Sequence, residues 1–399
     1  MKKQDTNMGN FPNLRFPEFE GEWEMKKLGD VGDVKMCRRI FNDETSTIGE
    51  IPFFKIGSFG KKADAFISKN LYLDYKNRFP FPKKGDILIS AAGTIGRTVI
   101  YNGEDAYYQD SNIVWIDNDN AKVINEFLFH ILQIVKYNTE GGTIQRLYNN
   151  ILKSTKFNCP TILEQKKISN FLDIINTRIQ TQKKIIEQLE TLMKESRENI
   201  FLQKIRFKDD DFSKWEEKKL GDILIESNEK SIKNNQHRVI SSTAKGLFHQ
   251  DDYFTRDIAS QDNTGYKILK KQQLVFSPQN LWLGNININM DFEIGLVSPS
   301  YKIFNFNTNL TSHNYCNFFL KTSLMLFEYA QSSIQGASVV RRNLDLNMFY
   351  NIKILLPSKK EQTKIANFLS SIQEKIEMEK QILKKLELQK KFLLANLFV

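Results

Sequence analysis

Pro160-Thr-Ile-Leu-Glu164-Gln165-Lys-Lys-Ile168-Ser-Asn170-Phe171-Leu172 decides how this chain is built, because it comes twice: Pro357-Ser-Lys-Lys-Glu361-Gln362-Thr-Lys-Ile365-Ala-Asn367-Phe368-Leu369 follows 197 residues later. A second pair stands upstream. Trp23 with Lys26-Lys27-Leu28-Gly29-Asp30 returns as Trp215 with Lys218-Lys219-Leu220-Gly221-Asp222, 192 residues on. Self-similarity at a long period marks a duplicated structural unit. The small difference between the offsets means that a few residues were gained between otherwise parallel halves.

Each copy of the first motif opens a helix. Pro160 precedes Thr161-x-x-Glu164 and Pro357 precedes Ser358-x-x-Glu361, a capping-box spacing in which the hydroxyl accepts from a free backbone N–H and the glutamate returns to the cap. Apolar residues then recur at alternating steps of four and three. The first copy runs Ile168, Leu172, Ile175, Ile179, Gln182, Ile186, Leu189, Met193, Ser196, Ile200, and the second Ile365, Leu369, Ile372, Ile376, Glu379, Leu383, Leu386, Lys390, Leu393, Leu397. This is a heptad seam, with Gln182 and Glu379 as polar breaks at the matching step. One such helix is equally well read as the surface helix of a globular domain. Two in one chain can bury each other, and with a folded domain between them an antiparallel pair is the natural arrangement. About forty residues at ~1.5 Å each give a rod roughly 60 Å long, a rigid spacer.

The stretches before each helix are rich in short β-type runs, such as Asp86–Ser90, Thr98–Tyr101, Asn112–Ile116, Gln273–Ser277 and Tyr301–Phe304, separated by turn residues. Each stretch reads as a mixed α and β head. In the first, Ser90-Ala-Ala-Gly-Thr94-Ile-Gly-Arg97 is a glycine turn ending in a cation, suited to a phosphate or a base edge. An ordinary hairpin loop has the same composition. In the second head Ser277-Pro-Gln279-Asn280-Leu-Trp-Leu-Gly-Asn285 takes the corresponding place, with amides suited to adenine. A basic element closes each head: Gly141-Gly-Thr-Ile-Gln145-Arg146 and Gly336-Ala-Ser-Val-Val-Arg341-Arg342-Asn343. These too read either as phosphate contacts or as solvated caps. The candidate DNA-binding residues are therefore Ser90, Thr94, Arg97, Gln145 and Arg146, then Ser277, Gln279, Asn280, Arg341 and Arg342.

Composition narrows the partners. The 399 residues are too many for one ordinary core, and 41% hydrophobic with 26% charged residues describes a folded chain. Lys and Arg outnumber Asp and Glu by 57 to 47, a formal charge of +10 that favours a polyanion such as nucleic acid. Cys37, Cys159 and Cys316 are far apart and form no CxxC pair, as expected of a reducing cytoplasm. The first eleven residues have no apolar core, and no apolar run approaches the ~18 residues that span a bilayer, so a soluble chain is expected. There is no phosphate-binding GxxxxGK[ST], no HExxH and no dinucleotide fingerprint. His130, His237, His249 and His313 lack metal-ligand spacing, and the run Asp209-Asp210-Asp211 reads as a solvated turn. No metal and no catalytic residue is expected.

With Trp23/Leu28-Gly29-Asp30, Trp215/Leu220-Gly221-Asp222 and the two Pro-x-x-x-Glu-Gln-x-x-Ile-x-x-Phe-Leu helix starts in this order, the whole chain resembles the specificity subunits of type I restriction–modification systems, a defence against phage. The resemblance implies an α+β (mixed α/β) fold: a tail at 1–14, a target-recognition domain at 15–160, a central spacer helix at 161–205, a second target-recognition domain at 206–357 and a C-terminal spacer helix at 358–399. It implies that each head reads half of a bipartite double-stranded DNA target, without catalysis. The helices would set the spacer, with Ile168, Leu172, Ile175, Ile179, Ile186, Leu189, Ile365, Leu369, Ile372, Ile376, Leu383 and Leu386 as the seam and docking residues. Two methyltransferase subunits would bring S-adenosylmethionine for adenine methylation. Two restriction subunits would bring ATP, Mg and DNA cleavage. The competing reading is a coiled-coil scaffold with two protein-binding heads.

Overall fold

The computed structural model describes residues 10–137, 146–207, 214–253, 262–335 and 342–399. Two compact units divide the chain: residues 1–183 with 382–399, and residues 184–381. Both are mixed α/β, and both are built on the same frame.

In the first unit a four-stranded antiparallel sheet runs in the order Gly32–Lys35, Ile113–Asn118, Ile87–Ser90, Thr98–Ile100. In the second the order is Leu224–Ser227, Lys302–Phe306, Leu274–Phe276, Ile286–Ile288. The strand Ile87–Ser90 is buried along its whole length because both of its faces are covered. Ile87 and Ile89 face an inner core with Trp23, Phe127 and the start of the long helix, whereas Leu88 faces an outer core with Phe53, Tyr107 and Trp115. Leu274 and Phe276 likewise point inward while Val275 points outward. The outer layers differ. In the first unit Ala65–Ile67, Ile51–Phe54 and Tyr107–Tyr108 form a three-stranded sheet, and in the second a hairpin of Ile240–Thr243 with Gly246–His249 stands beside the pair Lys267–Lys270 and Ile294–Val297, Val239 bridging to Leu296.

The tryptophan motif makes a strand, Glu24–Lys27, paired antiparallel with Lys156–Cys159; its second copy pairs Glu216–Lys219 with Lys353–Leu356. Leu28 and Leu220 are buried, and the carboxylates of Asp30 and Asp222 accept from the backbone N–H of Lys27 and Lys219. The glycine between them leaves room for a close neighbour. A Cβ on Gly29 would lie 3.1 Å from Lys153 Cβ and carbonyl oxygen, and one on Gly221 would meet Tyr350 in the same way.

These strand pairs deliver the chain into two long helices, Ile162–Phe201 and Lys359–Asn396. Thr161 and Ser358 do cap them, accepting from Glu164 N and Glu361 N at 3.4 and 3.3 Å. The glutamates do not return to the cap residue. Glu164, 1% exposed, takes a two-pronged ion pair from Arg15 at 2.8 and 2.7 Å and the indole N–H of Trp23 at 3.3 Å. Glu361 takes Arg206 at 3.1 and 2.8 Å and the indole of Trp215 at 3.1 Å. An ion pair in this sheltered place is a stronger partner than a cap N–H that water can reach. The next residue completes the lock: Gln165 binds the carbonyls of Lys122 and Pro160 and the N–H of Ile124, and Gln362 binds the carbonyls of Leu310 and Pro357 and the hydroxyl of Thr311.

Each long helix begins in one unit and ends in the core of the other. Ile200 and Phe201 join Trp215, Tyr315 and Phe319, and Leu397 and Phe398 join Trp23 and Phe127. The helices pair antiparallel, since Lys183 meets Glu387 at 3.0 Å in the first unit and Glu190 meets Lys380 at 2.8 Å in the second. Ile168, Leu172, Ile175, Ile179, Ile186, Ile365, Leu369, Ile372, Ile376 and Leu386 are buried, and Leu189 and Leu383 are half-buried. Gln182 and Glu379 are buried in the seam with them.

Glu164→Ala would strand Arg15 and the Trp23 indole without their acceptor, so a loss of about 2–4 kcal/mol is expected. Glu361→Ala should cost a similar amount. Urea denaturation followed by tryptophan fluorescence measures both; a loss below about 0.5 kcal/mol would mean that the lock is ornamental.

Candidate nucleic-acid interface

In the first unit the loop after Ile87–Ser90 turns back through two left-handed glycines, Gly93 (φ +65°) and Gly96 (φ +78°). Gly96 has a second reason to lack a side chain, because a Cβ would lie 2.8 Å from the Tyr137 ring. Ser90 staples the turn: its hydroxyl accepts from Arg97 N at 2.8 Å and donates to the Thr94 carbonyl. The Arg97 guanidinium donates to the Phe59 carbonyl at 2.8 Å and so ties the loop to the outer layer. Thr94 is left exposed at the tip. Arg146, far along the chain, bridges to Ala92, and Leu147 N donates to the Ala91 carbonyl at 2.9 Å. The structure thus brings Thr94 and Arg146 onto one loop edge, with Ser90 and Arg97 as its supports. Gln145 lies outside the described residues.

The second unit repeats the juxtaposition with other chemistry. Its loop of residues 277–285 follows the same sheet strand, closes with Asn280 N donating to the Ser277 carbonyl at 3.1 Å, and leaves through left-handed Gly284. Ser277 is buried and Gln279 is exposed. Arg342 N donates to the Gln279 carbonyl at 3.2 Å, and the Arg342 guanidinium lies over Trp282. Arg341 lies outside the described residues. Beneath this loop Ser242 donates to Asn285 at 2.7 Å, Asn287 donates to Ser242 at 2.9 Å, and Lys321 donates to Asn287 at 3.0 Å. Burial pushes the Lys321 pKa down. The candidate residues omitted Trp282 and this network. The indole was visible in the sequence, but nothing there placed it under an arginine sixty positions away.

Among the described residues no group of His, Cys, Asp and Glu is arranged to hold a metal ion, and no helix is long and apolar enough to cross a membrane. His130 is a packing residue. It is buried on the helix Asn125–Ile134, 3.7 Å from Asp173, and burial, with Lys390 nearby, pushes its pKa down to about 4.

The sequence matches the model of the type I restriction modification DNA specificity domain twice, over residues 20–191 and 213–388. The chain belongs to this family. A putative type I restriction enzyme specificity subunit of Haemophilus influenzae is 57% identical over 158 residues, which are 39% of this chain and 41% of that protein. The chain therefore spans less than half of that relative. The MjaIX specificity subunit of Methanocaldococcus jannaschii is 24% identical over 72% of this chain and 71% of its own. The S subunit of a type I system from M. genitalium shares the fold with a TM-score of 0.58 at 18% identity, over 98% of this chain and 99% of the other. The relatives named here are specificity subunits of type I restriction systems.

Two outcomes follow from the geometry. Arg146→Ala should weaken binding of the assembled complex to all DNA sequences alike and lower the slope of log affinity against log salt by about one; anisotropy titrations across a salt series decide, and a sequence-selective loss would refute a phosphate role. For His130, the native pKa of about 4 lies below the usual value of 6.5, so the unfolded chain takes up the proton first as pH falls. The resulting penalty is absent above pH 6.5 and grows to roughly 3 kcal/mol as pH falls through the window down to 4. His130→Phe should remove that slope. Urea melts of both proteins at pH 7 and 4.5 measure the difference.

Proposed function

We propose that residues 15–160 and 206–357 are two target-recognition heads, each reading one half of a bipartite double-stranded DNA site, with residues 1–14 as a tail. The helices at 161–205 and 358–399 would set the unread spacer. The observation that carries this reading is the same in both units: a loop after the same sheet strand meets an arginine from a distant segment, giving polar tips beside a cation. Base edges are read by such tips, and phosphates by the cations. Thr94 and Arg146 fill these roles in the first head; in the second, Gln279, Asn280 and Arg342 stand together on the loop edge, and Gln145 and Arg341 are assigned to the same edges. Ser90, Arg97 and Ser277 hold the loops in shape.

The expected seam and docking residues other than Leu189 and Leu383 are buried, so docking falls to the outward residues of the helices, with those two half-buried leucines beside them. Leu163, Ile174, Leu388 and Phe392 in the first unit, and Leu192, Phe368 and Met378 in the second, are exposed. Apolar residues of this size on open helix faces suit a protein partner. We assign that place to two methyltransferase subunits carrying S-adenosylmethionine, joined in the cytoplasm by two restriction subunits that bring ATP, Mg and cleavage. A match to the Haemophilus relative that spans 158 residues, close to the length of one head, accords with heads that evolve as separate modules.

Genome-wide adenine methylation, read by single-molecule sequencing in cells with and without this gene, tests the assignment. Loss of one split motif is expected, and Thr94→Ala should alter only one half of it. An unchanged pattern beside an active methyltransferase would refute the reading.

A further inference from the structure

The second unit holds an arginine–indole stack that the described residues of the first unit do not repeat. Trp282 stands in the loop between Leu274–Phe276 and Ile286–Ile288, anchored by the buried Leu281 before it and the left-handed turn at Gly284 (φ +83°) after it. The Arg342 guanidinium carbon sits 4.2 Å from the centre of an indole ring. Stacking engages the face of the guanidinium and leaves its in-plane N–H groups pointing from the edges. The arrangement also fixes a long side chain in advance, so that less rotamer freedom is lost on binding.

Three polar atoms at this stack are shut off from solvent without a hydrogen-bond partner: Arg342 Nε, Trp282 Nε1 and Asn280 Oδ1. Closed to water, these atoms are closed to DNA as well, so contact falls to the terminal N–H groups of the guanidinium. Held flat by the indole, two parallel N–H groups of that fork match O6 and N7 of guanine, a fixed geometry that a cation at a phosphate does not need. We propose that Arg342, held flat by Trp282, is a specificity-determining residue that reads a guanine in the half-site of the second head. Among the described residues the first head has nothing equivalent. Its loop carries Ala91, Ala92 and Gly93 in place of the amides and indole, and Arg97 gives its guanidinium to the Phe59 carbonyl. The two half-sites are therefore read by different chemistry.

This inference rests on the reading of the chain as a DNA-specificity subunit, and one experiment separates the two. The full chain is expressed with its methyltransferase partner in a host lacking adenine methylation, and the methylated motif is sequenced for the wild type and for Arg342→Lys, Arg342→Ala, Trp282→Phe and Trp282→Ala. The wild type should give a split motif with a G·C pair in one half. Arg342→Lys and Arg342→Ala should both lose discrimination at that one position by roughly 10- to 100-fold, with the other half unchanged. Trp282→Phe should keep most of the discrimination and Trp282→Ala should lose it. Lysine keeps the charge but not the fork, so a motif intact in Arg342→Lys and weakened throughout in Arg342→Ala would assign Arg342 to a phosphate and overturn the proposal. An unaltered motif in every variant would do the same. Arg342→Lys also reports if Arg342→Ala does not accumulate. No split motif from the wild type beside an active partner would bring down the reading of the chain itself, and this proposal with it.

Discussion

A glutamate carboxylate, buried in one half and largely sheltered in the other, and gripped by an arginine and a tryptophan indole, is the point on which each half of this protein turns. Glu164 with Arg15 and Trp23, and Glu361 with Arg206 and Trp215, join three things at once: the segment entering the unit, its first strand, and the first turn of the long helix leaving it. The carboxylate is sheltered, so its partners have no equal substitute in solvent, and their geometry fixes the direction in which the helix departs. Gln165 and Gln362 extend the grip to the backbone ahead of the head's buried helix. The Glu-Gln pair is thus a joint rather than a cap.

Outward from this joint the structure is layered. The strands Ile87–Ser90 and Leu274–Phe276 each send alternate side chains to two cores. The inner core, shared with the long helices, is built in both units around one tryptophan, Trp23 or Trp215, and a leucine of the same motif, Leu28 or Leu220, because it must fit the same joint. The outer core is under no such constraint, and there the two units carry different sheets. A fixed frame with a free outer layer lets recognition diverge without disturbing the helices.

The loops that lie at the edge of that frame show how far the divergence goes. The first is closed by two left-handed glycines and a buried serine, leaving a threonine and an arginine outward. The second is wide enough for an indole, and it sits over a buried network in which Lys321 is held by Asn287. Packing sets these differences: a side chain at Gly96 would strike Tyr137, whereas Trp282 lies in a loop that Leu281 anchors to the core.

Much of this was legible in the residues. The duplicated motifs gave the repeat, the alternating steps of four and three gave the long helices, and Asp86–Ser90 and Gln273–Ser277 gave the central strands, because periodicity and punctuation are local properties of a chain. The glutamate of the helix start was misassigned to its cap for the same reason: local spacing names the nearest partner, and the stronger one, Arg15, lies 149 residues away. The pairing of Ala92 with Arg146, and of Trp282 with Arg342, was likewise beyond the sequence, since it depends on which strands become neighbours in the sheet. Sequence by itself determined the elements and their duplication. Tertiary structure alone decided which distant side chains share a site, because that is a matter of burial and competition among partners that no local pattern records.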